Sequence, residues 1–308
     1  MIETENLTKK YGDLVAIKDL SFKVEKGKIW GLLGPNAAGK TTTMRILTGF
    51  LPATEGRAMV AGYDVFEQPE AVKQSIGYLP ETVPVYPEMT VEAYLGFVAE
   101  IKKVPRSKKK GAVDRAVEIT GLQPVRKRLI RNISRGYKQR VGIAQALIHN
   151  PQVVILDEPT IGLDPAQIVE IRQLIKSLKS EHTVMLSTHL LAEVTQVCDG
   201  VVIINEGQLM ASGSLEELSA TFKEKDGVYL RLKKSDNEIL SLFRQLPGID
   251  KVYLEGLEIK VEWDRSKDMR EQVVRLCLEK QLGLLEMRST AMNIEELYLR
   301  IVSGGMES

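Results

Sequence analysis

Nine consecutive residues, Gly34-Pro35-Asn36-Ala37-Ala38-Gly39-Lys40-Thr41-Thr42, restrict this chain more than any other stretch. An apolar run at 29–33 leads into them and a helical pattern at 42–47 leads out. Together they fit G-x-x-x-x-G-K-[ST] in the strand–loop–helix setting that the pattern requires. Glycines let the backbone curl, so that its N–H groups and the following helix N-terminus converge on phosphate oxygens. Lys40 adds a point charge near the terminal phosphates, and the Thr41 hydroxyl can ligate Mg²⁺. The loop is expected to bind a nucleotide triphosphate.

Downstream the pattern alternates strand and helix. Residues 153–156, Val-Val-Ile-Leu, form a continuous apolar run that ends in Asp157-Glu158-Pro159-Thr160. Residues 183–187 form another such run, followed by Thr188-His189. Continuous rather than alternating apolar strands, separated by helices, imply a parallel, doubly wound sheet, and ligands of such sheets collect at the carboxyl ends of the strands. Asp157 stands at such an end and suits Mg²⁺ coordination, directly or through water. Glu158 projects differently and can polarise an attacking water as a general base. Before the loop, residues 2–7 and 15–24 read as strands, with Tyr11 on a short polar loop beside Gly12. Helical patterns run from Val91 to Gly121. Ser134 is placed to cap a helix that continues through Val141 to Ile148.

The remainder of the chain offers no second catalytic constellation. Residues 226–308 read β-α-β-β-α-β, the order of a ferredoxin-like split βαβ, with the tight turn Glu255-Gly256 between its middle strands and a last helix through Ile294, Leu297, Tyr298 and Ile301. This second domain reads as a packing or dimerising appendage. Residues 1–222 form the nucleotide-binding domain, with a helical subdomain at about 88–140. Between 102 and 140, fourteen Lys and Arg residues face only Asp114 and Glu118. They read as a solvated helical face, or as one turned towards anionic lipid headgroups or a partner at the membrane. No aromatic residues interleave the charges at 102–131 to stack on bases, and the net charge is only +1, so no nucleic acid is expected as a partner. No apolar run reaches the ~18–20 residues needed to span a bilayer, and the N-terminus lacks the pattern of a secretory leader. Cys198 and Cys277 match no metal or redox spacing and read as buried or free thiols in a reducing cytosol.

With these stretches in order, residues 1 to about 215 resemble the ATP-binding subunits of ABC transporters. Residues 34–42 match the family's Walker A loop and 153–158 its Walker B strand with the glutamate. Residues 134–140 match the signature, Gly162-Leu163-Asp164 the D-loop, His189 the switch histidine, and Tyr11 the aromatic that stacks on adenine. The resemblance implies an α/β P-loop NTPase fold with a β-subdomain and a helical subdomain. It also implies that ATP and Mg²⁺ are bound and ATP hydrolysed, with Glu158 and His189 catalytic. Two such chains would face head to tail, Ser134 and Gly136 of one completing the site of the other, and Asp164 of the D-loop would count among the nucleotide-binding residues. The homodimer would drive a separate membrane permease from the cytoplasmic face of the membrane. An alternative is a soluble ABC ATPase acting on nucleic acid or the ribosome.

Four positions, in three motifs, depart from the family pattern. Arg135 and Tyr137 change the signature, Ala37 replaces a frequent glycine, and Glu81 stands where a Mg²⁺-sensing, permease-contacting glutamine is common. The altered signature, the Gly-Tyr-Leu-Pro-Glu stretch at 77–81 and the C-terminal extension resemble the bacterial type-2 exporter branch.

Overall fold

A computed structural model of the chain describes residues 1–289 and Tyr298, apart from Ser180, residues 222–225 and 235–236, Leu257 and Arg265. The chain divides into two compact units, Met1–Leu215 and Glu216–Ser308.

The first unit begins with β1 (Ile2–Tyr11) and β2 (Leu14–Val24), an antiparallel pair whose register runs out to Tyr11 opposite Leu14. Tyr11 is therefore the last residue of a strand rather than part of a loop: the reversal takes only Gly12, at φ 59°, and Asp13. With β4 (Glu55–Val60) and β5 (Tyr63–Asp64) they make a four-stranded antiparallel sheet in the order β2-β1-β4-β5. Alternation buries Leu20, Phe22 and Val24, and a register shift at Asp19 (φ 51°) brings Ile17 inward as well, into the same apolar core as Leu32, Ile155, Met185 and Val202 of the central sheet.

That central sheet has six strands in the order β10-β9-β3-β8-β7-β6: β3 (Ile29–Leu33), β6 (Ile76–Leu79), β7 (Val153–Asp157), β8 (Thr183–Thr188), β9 (Gly200–Asn205) and β10 (Gln208–Ser214). All neighbours are parallel except β9 and β10. Every residue of β3, β7 and β8 is buried, which is why these strands read as unbroken apolar runs. Their carboxyl ends are level: Leu33 pairs with Thr188, and Asp157 with Ser187. The chain segments that leave these three strands thus meet at one edge of the sheet, and that is where the site forms.

Helix α1 (Lys40–Leu47) follows the phosphate loop, and α2 (Pro69–Ser75) precedes β6. The latter has no counterpart in the sequence reading; Pro69 occupies its first turn, where no N–H is needed. The helical stretch expected from Val91 to Gly121 is two helices, α3 (Val91–Ile101) and α4 (Arg106–Ile119). Between them Lys103 takes a left-handed φ of 57°, and Pro105 starts α4. Thr90 caps α3 by accepting the Ala93 N–H at 3.2 Å. With α5 (Arg135–Leu147) they bury a core of their own that includes Tyr94, Leu95, Val98, Val117 and Val141. Helices α6 (Pro165–Leu178) and α7 (Leu191–Val197) flank β8, and α8 (Leu215–Thr221) follows β10.

In the second unit β11 (Asp226–Leu232), α9 (Asn237–Arg244), β12 (Ile249–Glu255), β13 (Glu258–Trp263), α10 (Arg270–Glu279) and β14 (Leu284–Ser289) follow in sequence. The sheet order is β12-β13-β11-β14, with every neighbouring pair antiparallel. Ile259, Val261 and Trp263 alternate inward against Phe243 and Val273. Of the helix expected through Ile294, Leu297, Tyr298 and Ile301, only Tyr298 is among the described residues, and it is helical. Both cysteines are buried free thiols.

Candidate active site

Leaving β3, the chain curls through the phosphate loop into α1. Residues 36–42 line a cleft of about 830 Å³ together with Glu81, Glu158 and His189. Gly39 sits at φ 101°, and a β-carbon there would come within 2.6 Å of the Ile17 side chain. At Gly34 a β-carbon would lie 2.4 Å from the Ile204 carbonyl oxygen, so the loop can pass only as glycine at both ends. Ala37 adopts φ 64°, the left-handed region, which costs a residue with a side chain about 1 kcal/mol. Lys40, 7% exposed, donates to the carbonyls of Gly34 at 2.8 Å and Pro35 at 3.0 Å. Its ammonium is thereby held over the loop before any phosphate arrives.

The adjacent carboxylates occupy different environments, as their neighbours dictate. Asp157, 1% exposed, ends β7 and accepts the Ser187 hydroxyl at 2.5 Å. Glu158 takes a left-handed φ of 48°, with its N–H directed at the Ser187 hydroxyl at 3.0 Å. One serine thus fixes both acids. A non-glycine residue held at such a φ stores of order 1–3 kcal/mol, a strain typical of functional positions. The Glu158 carboxylate lies 2.9 Å from His189 Nδ1 and 3.7 Å from Lys40 Nζ. Burial raises its pKa above the ordinary glutamate value, while the charge and hydrogen bond of His189 and the charge of Lys40 pull it back. If Glu158 acts as the base, the acid limb of the pH–rate profile should lie above an ordinary glutamate pKa, and His189→Ala should move it to still higher pH. Turnover measured across the acid range checks both; an unmoved limb in the variant would remove His189 from contact with the base.

Thr41, Glu81 and Asp157 line a second recess of about 430 Å³, which shares Thr41 and Glu81 with the first and is walled by Arg45, Phe50 and Tyr78. Burial and the Asp157 charge push the Tyr78 hydroxyl up to about 12. A hydroxyl and carboxylates facing one recess are the hard oxygen donors that Mg²⁺ takes. Among the described residues no group of three or more His, Cys, Asp or Glu can hold a metal by itself. An ion here would therefore lean on phosphate oxygens as well, the usual manner for Mg²⁺.

Ser134, Gly136 and Asp164 lie elsewhere. They line a separate cleft of about 410 Å³ that shares no residue with the nucleotide cleft. Ser134 caps α5 by accepting the Tyr137 N–H at 3.3 Å, and Asp164 caps α6 by accepting the Gln167 N–H at 2.9 Å. Arg135 donates to the Ile161 carbonyl at 3.1 Å, and its guanidinium fills the space where Gly162 has no side chain. Tyr11, 46% exposed at the end of β1 with the Lys9 ammonium 5.2 Å from its ring, is not among the residues lining the nucleotide cleft.

Several residues of the site have no local signature. Leu14, Val15 and Ala16 wall the cleft, as do Ile161 and Glu206. Gly207 staples the loop to β2: its N–H donates to Ala38 at 3.2 Å and its carbonyl accepts from Lys18 at 2.8 Å. Ser187 had only its position at the end of a buried strand beside β7 to mark it.

The fold and the site define a P-loop ATPase. A family model described as ABC transporter matches residues 17–161. The chain is 36% identical to the bacitracin transport ATP-binding protein BcrA of Bacillus licheniformis, over 99% of this chain and 98% of that protein. It is 32% identical to the linearmycin resistance ATP-binding protein LnrL of Bacillus subtilis (strain 168), over 98% of each. A solved ATP-binding subunit of an ABC transporter superposes with a TM-score of 0.65 at 29% identity, covering 72% of this chain and 93% of that one. The chain belongs to the ATP-binding subunits of ABC transporters.

Proposed function

We propose that this ATPase works as a head-to-tail homodimer around two ATP molecules and drives a separate membrane permease, in the direction of export. The carrying observation is the division of the site within one chain: the loop, Asp157, Glu158 and His189 gather at one end of the sheet around the nucleotide cleft and its recess, and Ser134 and Gly136 line another cleft. The N-terminus of α5, capped by Ser134, is an anion clamp with no phosphate of its own chain to hold. In this reading Lys40 and the loop N–H groups hold the triphosphate, Glu158 takes a proton from the attacking water, and His189 orients Glu158. Thr41 and Asp157 would hold Mg²⁺, with Glu81 beside them; a bound ion supplies charge neutralisation at the phosphates. The recess beside Glu81 and Phe50 is the candidate permease contact, Phe50 being 75% exposed. Among the described residues no helix is long and apolar enough to cross a membrane, and the transport path is assigned to the permease. Export agrees with the names of the bacitracin transport and linearmycin resistance relatives. We read the second unit as a ferredoxin-like dimerising appendage, in keeping with its strand order.

Complementation tests the dimer. Lys40→Ala and Ser134→Arg should each be inactive, yet mixing them should restore a fraction of wild-type ATPase, because one of the two composite sites in the mixed dimer is intact. No recovery on mixing would refute completion of the site in trans. Co-purification of a membrane-spanning partner after detergent extraction tests the permease, while recovery of ribosomes or RNA instead would point to the soluble alternative.

A further inference from the structure

Away from the nucleotide cleft, the residues that follow α3, α4 as far as Arg115 and the residues that follow α5 border a recess of about 740 Å³. Lys102, Lys103, Lys108 and Arg115 line it together with Ser107 and His149, and no Asp or Glu is among its lining residues. Several other bases of the stretch are answered by acids. Lys109 pairs with Glu100, Arg126 with Glu92 and Asp114, Arg131 with Glu88, and Arg140 with Glu170. Among the described residues no carboxylate lies within ion-pair distance of Lys103, Lys108 or Arg115.

The groups beneath them are short of partners. Lys102 reaches only carbonyls, those of Lys73 at 3.3 Å and Ile76 at 3.4 Å. His149 Nε2 lies 3.0 Å from the same Ile76 carbonyl, so this nitrogen carries the ring proton, and the buried Nδ1 has no partner. Burial and the charge of Lys102 push His149 down to about 4, leaving it neutral beside the cations. The first turn of α4, which also borders the recess, carries no acid and no side-chain cap. Like charges gathered in one concavity without a counter-charge repel one another, and an anion removes that repulsion.

We propose that this recess is a binding site for a phosphate-bearing ligand, held by Lys103, Lys108 and the guanidinium fork of Arg115, with Ser107 as a hydroxyl donor. Arg115 offers paired N–H donors to two phosphate oxygens, and the lysines act as point charges. The volume exceeds that of one phosphate and suits a phosphorylated small molecule or a lipid headgroup. Binding here requires neither dimerisation nor transport.

The test uses the full chain with Mg·ADP in the nucleotide cleft, so that the phosphate loop is occupied. Titration with inorganic phosphate and pyrophosphate should give saturable NMR shifts at the amides of Lys103, Ser107 and Gly111. In Lys103→Ser/Lys108→Ser/Arg115→Ser the affinity should fall by about tenfold or more, with basal ATPase unchanged as a control for folding. Lys103→Arg/Lys108→Arg should keep binding. Sedimentation with phosphatidylglycerol vesicles against phosphatidylcholine vesicles separates the sources. Selective vesicle binding lost in the triple variant assigns a lipid headgroup, and shifts with phosphate but no vesicle binding assign a soluble phosphate compound. Absence of saturable shifts and of vesicle binding, or binding undiminished in the triple variant, would overturn the proposal.

Discussion

Glu158→Gln should lower ATP turnover by roughly 10²–10⁴-fold, the range for loss of a general base, while leaving ATP affinity near that of the native chain. The amide keeps the shape of the carboxylate and can still accept from His189 Nδ1, which lies 2.9 Å from Oε2, so the cleft is preserved and only the proton acceptor is lost. Its effect on stability has a definite sign. Burial raises the Glu158 pKa in the fold, so this carboxyl stabilises the protein below its unfolded pKa, and that contribution is lost as pH rises through the raised value. At neutral pH the variant, with no buried charge to ionise, should melt no lower than the native chain. Phosphate release, equilibrium dialysis with ATP and a thermal melt check the three expectations. Native turnover in the variant would take the role of base away from Glu158.

Lys40→Ala should act on binding first. The ammonium is nearly buried and donates to two loop carbonyls, Gly34 at 2.8 Å and Pro35 at 3.0 Å. Its removal deletes the one side-chain cation on the loop, and a charge-assisted contact of about 1.5–3 kcal/mol corresponds to roughly 10–150-fold in ATP affinity. The carbonyls lose their donor as well, at a cost of about 1–3 kcal/mol where no water replaces it. For a unit of this size each kcal/mol lowers the melting temperature by roughly 2–4 °C. Weaker ATP binding with a lower melting point even without ligand is the expected pair of results. Loss of binding with an unchanged melting point would mean that water takes over the carbonyls, and unchanged binding would contradict the role of Lys40.

The two variants also show what could be read from the chain alone. Lys40 and Glu158 each lie inside a contiguous motif, where a single turn of backbone brings the chemistry together. The parallel strands were legible for a related reason, because burial on both faces writes itself as an unbroken apolar run in 153–156 and 183–187. Ser187 gave no such sign. Its hydroxyl matters because β7 and β8 pair in register, which brings it to Asp157 across 30 residues of sequence. Leu14, Val15, Ala16 and Gly207 reach the cleft only through tertiary contact. The turn after Tyr11 proved tighter than its polar residues suggested, since positive φ at Gly12 lets the strand continue to its very end. Charge runs were the least legible, for composition could not separate the bases that acids answer from those at Lys103, Lys108 and Arg115.

The separation of the two clefts within one chain has a kinetic consequence. If each complete site draws on two molecules, ATPase activity of the isolated subunit rises with the square of its concentration when dilute. Two copies held beneath one permease would meet instead at an effective concentration in the millimolar range typical of short tethers. Hydrolysis would then be confined to assembled transporters by geometry alone, with free subunits idle at cellular dilution.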